Sequence, residues 1–501
     1  MISFLICVLA IFILLSIRSR ASACTAMYVG KKASADGSVM IARSHDLTTV
    51  VPTRFEVVPR MENAPGRAIV GKKGFRCDLP ETTFRYVSVP ACASAGFGTE
   101  SAATANEFGL TVTTSVTAYT NENVGKNDPS VHEGGIGYEH MALVPAACCR
   151  TAREAVKLLA EIIDRAGTYD SNIIMLADRD EAWYMETYSG HQYCAVKMPE
   201  DCAATYGNQL MLDTVDPDSD DVVCSPRLFS MPAEKGFAVY GEDGKMNLFD
   251  TYAGKSTMLD SCNLRTWRGQ MLFAKKPETR FETTLKYPLF YKVGHKISVN
   301  EVMDFFCDRY DGTEYSAEVN HNNYRVIAVE RQANTHVIQV FPDAPADRAA
   351  VMWTALGGAE FAPYMPLSNA MTRVSGDYFR DQTDKGYDGN MPYYVFKKLN
   401  ALCGQDRARY GAGVKSYWQA WEKEKAEAFR EALKTAGEDA EPLTAFCVNA
   451  MDEALTKARE ICDDLIYYMM LNTNSALYTF DEISQKMIRH DDTPFAVKEE
   501  R

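Results

Sequence analysis

Residues 24–46 contain Cys24-Thr25-Ala26-Met27-Tyr28-Val29-Gly30, then Ala35-Asp36-Gly37-Ser38, then Ile41-Ala42-Arg43-Ser44-His45-Asp46. Thr25 to Val29 and Val39 to Ala42 are short apolar-rich runs, and Ala35-Asp36-Gly37 between them supplies turn chemistry. The stretch predicts a β-hairpin with Cys24 at its head.

Upstream, Met1 to Ile17 is apolar apart from Ser3 and Ser16, followed by Arg18-Ser19-Arg20 and Ala21-Ser22-Ala23. Ala at both −3 and −1 of Cys24 is what signal peptidase reads, so residues 1–23 are expected to be a cleaved signal peptide. Secretion, or delivery to the cell envelope or periplasm, follows. The alternative is a retained membrane anchor, since 17 residues are at the lower edge of what spans a bilayer. Lipid attachment at Cys24 is disfavoured by Ala where a bulky aliphatic residue would stand. No second apolar run approaches 18 residues, so no stable membrane association is expected after cleavage.

Downstream, strands precede helices. Glu107 to Thr117 is rich in Thr and Val and reads as a strand. Ile136–Arg150 and Thr151–Ala166 have helical spacing, the second with Val156, Leu159, Ile162 and Ile163 on one face. Ile173–Met198 holds three β-type runs, Val326–Phe341 reads as a hairpin, and Val351–Ala355 as a strand. Tyr417–Ala436 and Leu443–Leu471 are Ala/Glu/Lys-rich and helical. The body is therefore α+β with a largely antiparallel sheet.

The 501 residues are 46% hydrophobic and 24% charged, which is globular composition and excludes a disordered chain. A net charge of −14 argues against nucleic acid as a partner, because such binding depends on Lys and Arg neutralising phosphates. Homo-oligomerisation is left open. Of the 14 Cys, setting aside Cys7 and Cys24 leaves an even number compatible with disulfides; buried small hydrophobes are the equal alternative. Gly254-Lys255-Ser256 lacks the first Gly of a phosphate loop, with Phe249 in its place. The eight His are scattered, and His132-Glu133 lacks a second His at helical spacing, so neither a metal nor a cofactor is expected.

If Ala23 is removed, Cys24 carries a thiol and a free α-amine on one residue. An α-amine titrates near ~7.7–8.0 and a thiol near ~8.5, so the amine can serve as general base for its own side chain. Attack on an amide then gives a thioester that water hydrolyses.

With this chemistry in view, the opening stretch resembles the start of the cysteine-type N-terminal-nucleophile hydrolases, specifically the dipeptidase family that also contains the secernins. Bile-salt hydrolases and penicillin V acylases are relatives. The likeness continues through Ala105-Asn106-Glu107-Phe108-Gly109-Leu110, Gly135-Ile136-Gly137, Gly167-Thr168-Tyr169-Asp170-Ser171-Asn172, Trp183-Tyr184-Met185-Glu186, Asn208-Gln209-Leu210 and Asp311-Gly312-Thr313-Glu314-Tyr315. It implies an αββα sandwich over residues 24–390, a helical C-terminal extension over 391–501, and hydrolysis of dipeptides. The non-catalytic secernin-like role and the non-peptide amide hydrolases are the rival readings.

The resemblance also implies site residues. Cys24 matches the nucleophile and base, and Arg43 and Asp46 match an R-x-x-D pair beside it. A guanidinium there favours thiolate, and a carboxylate orients the α-amine. Asn106 and Asn208 match amides on the oxyanion side. Arg265, with Arg268 as the alternative, matches a later Arg. Asp46 and Arg265 are also candidates to meet the substrate's ammonium and carboxylate. Trp183 and Glu186 either line the pocket or pack within the sheet.

Overall fold

A computed structural model describes residues 24–489 except 48–49, 72, 96–99, 117, 321–323, 384–385 and 472–477. The expected signal segment, 1–23, lies outside the described residues.

The expected hairpin forms. β1 (Thr25–Val29) pairs antiparallel with β2 (Val39–Asp46), from Thr25 opposite Ser44 to Val29 opposite Met40. In the connection, Asp36 accepts from the Ser38 N–H at 3.1 Å, an Asx turn that Gln339 holds from the neighbouring strand. The hairpin is central to a seven-stranded antiparallel sheet. Its order is Phe290–Lys292, Cys202–Tyr206, β1, β2, Gln332–Val340, Ala350–Leu356 and Met365–Ser368. All nine residues of Gln332–Val340 are buried, as expected of a strand covered on both faces.

An eight-stranded antiparallel sheet lies against it, with Thr111–Val116 and Asn172–Ala177 facing β2. His336 and Thr113 meet across the gap at 2.8 Å. The helix Ala152–Ala166 covers the outer face of the eight-stranded sheet, burying Val156, Leu159, Ile162 and Ile163. The helices Asp260–Phe273 and Val299–Phe306 cover the seven-stranded sheet. The result is the αββα sandwich. The helices beyond residue 390 join this layer: Pro392–Cys403 and Glu441–Met470 pack on Ala350–Leu356 and Met365–Ser368, within the same apolar core.

Three local expectations are corrected. Glu107–Thr117 is not one strand, because the chain turns at 107–110, where Gly109 takes φ +79°, and only Thr111–Val116 continues as strand. Val326–Phe341 is one strand, Gln332–Val340, and not a hairpin. The Ala328 N–H bonds to the Asp308 carbonyl outside any ladder, so tertiary context overrides the β-rich composition of 326–331. Ile136–Arg150 divides into Tyr138–Met141 and Leu143–Cys148. None of the thirteen described cysteines is paired, and eleven are buried.

Candidate active site

Cys24 heads β1 and is 2% exposed, at the end of the seven-stranded sheet where β2 finishes and Gln332–Val340 begins. Three separate parts of the chain converge on it. Arg43, opposite Ala26 on β2, donates from Nη2 to Cys24 Sγ at 3.2 Å and from Nη1 to the Ala102 carbonyl at 3.5 Å. The Cys24 nitrogen donates to Asn208 Oδ1 at 2.9 Å. Arg265 Nη1 donates to the Cys24 carbonyl, and its Nη2 reaches Asn208 Oδ1 at 3.1 Å.

Arg43 and Asp46 are three residues apart on a strand, so the period of two sends them to opposite faces. Arg43 lies between the sheets beside the thiol. Asp46 lies on the helix-covered side, where its Oδ2 meets the Arg325 guanidinium. Burial pushes the Asp46 carboxyl up, and Arg325 and then Arg265 oppose the shift. Asp46 Oδ1 is buried without a hydrogen-bond partner among the described residues.

Asn208 follows Tyr206, the end of the strand paired with β1. Gly207 lets Arg265 come close: a Cβ there would stand 2.6 Å from Arg265 Nη2. The next residues hold the loop. Gln209 donates to the Thr257 carbonyl at 2.7 Å and accepts from Thr266 Oγ1 at 2.6 Å. Glu186 accepts from the backbone N–H groups of Met211 and Leu212 and from Tyr184 Oη at 2.7 Å. Burial pushes the Glu186 carboxyl up to about 7, against those three donors. Glu186 thus positions the Asn208 loop from the facing sheet. Strand alternation carries this signal: Tyr184 and Glu186 point between the sheets, while Trp183 and Met185 join the cluster under the outer helix.

The two candidate arginines separate cleanly. Arg265 touches Cys24, Thr25 and Asn208, and burial brings its guanidinium down to about 10. Arg268, one turn along the helix, pairs with Asp308 instead.

Asn106 is not brought to Cys24, which corrects the expectation of a second oxyanion amide. Its Nδ2 donates to the Ala146 and Cys149 carbonyls at 3.0 and 2.8 Å, so both hydrogens are engaged. Its Oδ1 accepts from the Phe108 and Leu110 N–H groups at 3.0 and 3.1 Å. Asn106 closes the strand Ala103–Asn106, at its far end from the Ala102 carbonyl that Arg43 meets. It organises the 107–110 turn.

The profile of Peptidase family C69 matches residues 23–420. A probable dipeptidase B of Lactococcus lactis subsp. lactis (strain IL1403) is 31% identical over 392 residues, covering 75% of this chain and 80% of that one. A probable dipeptidase of Latilactobacillus sakei is 29% identical over 465 residues, 90% of this chain and 95% of that one. Among solved structures, a mutant conjugated bile acid hydrolase from Clostridium perfringens aligns at 11% identity and a TM-score of 0.26, covering 73% of this chain and 97% of that one. With most of its length matched and a site gathered around Cys24, the chain belongs to peptidase family C69.

Proposed function

We propose that this protein is a secreted or cell-envelope dipeptidase that acts through a thioester on Cys24 once residues 1–23 have been removed. The observation that carries the reading is the convergence on one residue: Arg43 on the thiol, Asn208 on the nitrogen and Arg265 on the carbonyl. The dipeptidase names of the relatives support the substrate class. Ala21-Ser22-Ala23 supports export, and among the described residues no helix is long and apolar enough to cross a membrane.

Cleavage after Ala23 converts an amide N–H into an amine. Asn208 Oδ1 keeps its hydrogen bond, and Asp46 Oδ1 is the acceptor we assign to the additional hydrogen. The amine takes the thiol proton while Arg43 stabilises the thiolate. Sγ attacks the peptide carbonyl, and the Asn208 amide stabilises the oxyanion. The C–N bond breaks, the ammonium returns its proton to the leaving amine, and water hydrolyses the thioester.

The test is a panel of dipeptides, penicillin V and conjugated bile acids, assayed with wild type and Cys24→Ala. Cys24-dependent release of free amino acids from dipeptides is expected. Hydrolysis confined to the other amides contradicts the dipeptidase assignment.

A further inference from the structure

With Asn106 holding a turn, one donor expected beside the oxyanion has to come from elsewhere. The β1–β2 register supplies a neighbour. Thr25 pairs with Ser44 at the end of the ladder, and the same register continued one residue outward points His45 towards the Cys24 position. His45 shares its face of the strand with Arg43, two residues back, whose guanidinium already touches the thiol.

The His45 imidazole is 1% exposed, and neither ring nitrogen has a hydrogen-bond partner among the described residues. Buried polar groups are rarely left so, and a pair of them beside a nucleophile marks a place that substrate completes. The ring cannot turn away freely: the Tyr138 ring stands edge-on at 6.3 Å and is itself fixed by Tyr138 Oη donating to Glu100 at 3.0 Å. His336 differs. It faces the same gap, but its nitrogens meet Thr113 and Asn334.

We propose that His45 donates a hydrogen bond to the oxyanion formed when Cys24 attacks the substrate carbonyl, as the second donor beside Asn208. The assignment rests on the dipeptidase reading above. In the step, the Sγ–C bond forms as the carbonyl π pair moves onto oxygen, and His45 holds that oxygen without giving up its proton. On collapse the pair returns, the C–N bond breaks, and the leaving amine takes its proton from the Cys24 ammonium. A neutral ring is the species required, because it donates without needing to change charge. Burial, with Arg43 and His336 adding to it, pushes the His45 pKa well below the ordinary imidazole value. A neutral imidazole polarising a carbonyl is established chemistry in another enzyme.

The experiment compares wild type, Cys24→Ala, His45→Leu and His45→Gln for dipeptide kcat and KM, melting temperature, and the rate of Cys24 alkylation by iodoacetamide. Alkylation uses the same thiolate but builds no oxyanion. His45→Leu is expected to lose ~10²–10³-fold in kcat with KM and alkylation little changed, and His45→Gln, which restores an N–H donor, to recover at least ~10-fold of it. Should the Leu chain not fold, His45→Met gives the same comparison. Undiminished turnover by the folded Leu or Met variant overturns the proposal, as does alkylation slowed in parallel with kcat without rescue by Gln. Wild type inert towards dipeptides overturns the dipeptidase reading itself, a result distinct from either.

Discussion

Asn106 and Asn208 carry the same amide, and both stand in short motifs that resemble one family. In the folded chain they have opposite tasks. Asn208 turns its oxygen to the Cys24 nitrogen and to Arg265, on a loop held from both sides by Gln209 and Glu186. Asn106 gives its oxygen to two N–H groups of its own turn and both its hydrogens to carbonyls of a neighbouring segment. Residue type is equal in the two cases. What each amide oxygen accepts from places Asn208 against Cys24 and Asn106 within its own turn.

The largest expected effect anchors the first region. Cys24→Ala should reduce dipeptide turnover to background while the melting temperature stays near wild type, since one small side chain is exchanged for another. Substantial turnover by that variant would rule out a thioester on Cys24. Next, Asn208→Ala should lose ~10²–10³-fold in kcat, and equally in kcat/KM, through loss of an oxyanion donor.

The same substitution in the second region should divide the other way. Asn106→Ala orphans the Phe108 and Leu110 N–H groups and the Ala146 and Cys149 carbonyls, at ~1–3 kcal/mol for each group left unsatisfied. Thermal denaturation should show the loss, and kcat per folded molecule should remain within a few-fold of wild type. A ~10²-fold fall in kcat at unchanged stability would return Asn106 to the oxyanion.

The smallest effect concerns pH. The Glu186 carboxyl is pushed up to about 7 by burial, so the folded chain holds a proton that the unfolded chain has released above about 4.5. This contribution to stability is complete below that pH and is lost as pH rises towards about 7. Asp170, also pushed up to about 7 by burial, acts in the same direction. The melting temperature should therefore fall by a few degrees between pH 5 and 8. Glu186→Gln keeps an acceptor for Met211 and Leu212 and should flatten part of that slope. An unchanged slope would mean that Glu186 is ionised throughout.

The head of the site was legible because strand chemistry is local. The β1–β2 hairpin follows from two apolar runs and an Asp-Gly turn; Arg43 was legible from the R-x-x-D resemblance, and the register, which sets it opposite Ala26, leaves its guanidinium within reach of the thiol. The three-residue spacing to Asp46 also had a physical meaning available from the strand period, namely one residue on each face. Arg265 and Arg268 were not separable by pattern. Both are buried on one helix, and Gly207 and Asp308, distant in sequence, decide which of them meets Cys24. Asn106 misled for the same reason, since the Ala146 and Cys149 carbonyls that engage it lie some 40 residues away. Val326–Arg331 has strand composition but is held by a bond to Asp308 that no local pattern records.

In the proposed mechanism the active chain begins at Cys24, and this residue's own amine is the base. The direct measurement is mass spectrometry of the N-terminal peptide, taken on fractions whose dipeptide turnover is measured in parallel. Turnover should track the fraction of chains starting at Cys24, and iodoacetamide should label that peptide as activity disappears. Full turnover in chains that still carry Ala23 ahead of Cys24 would contradict that mechanism.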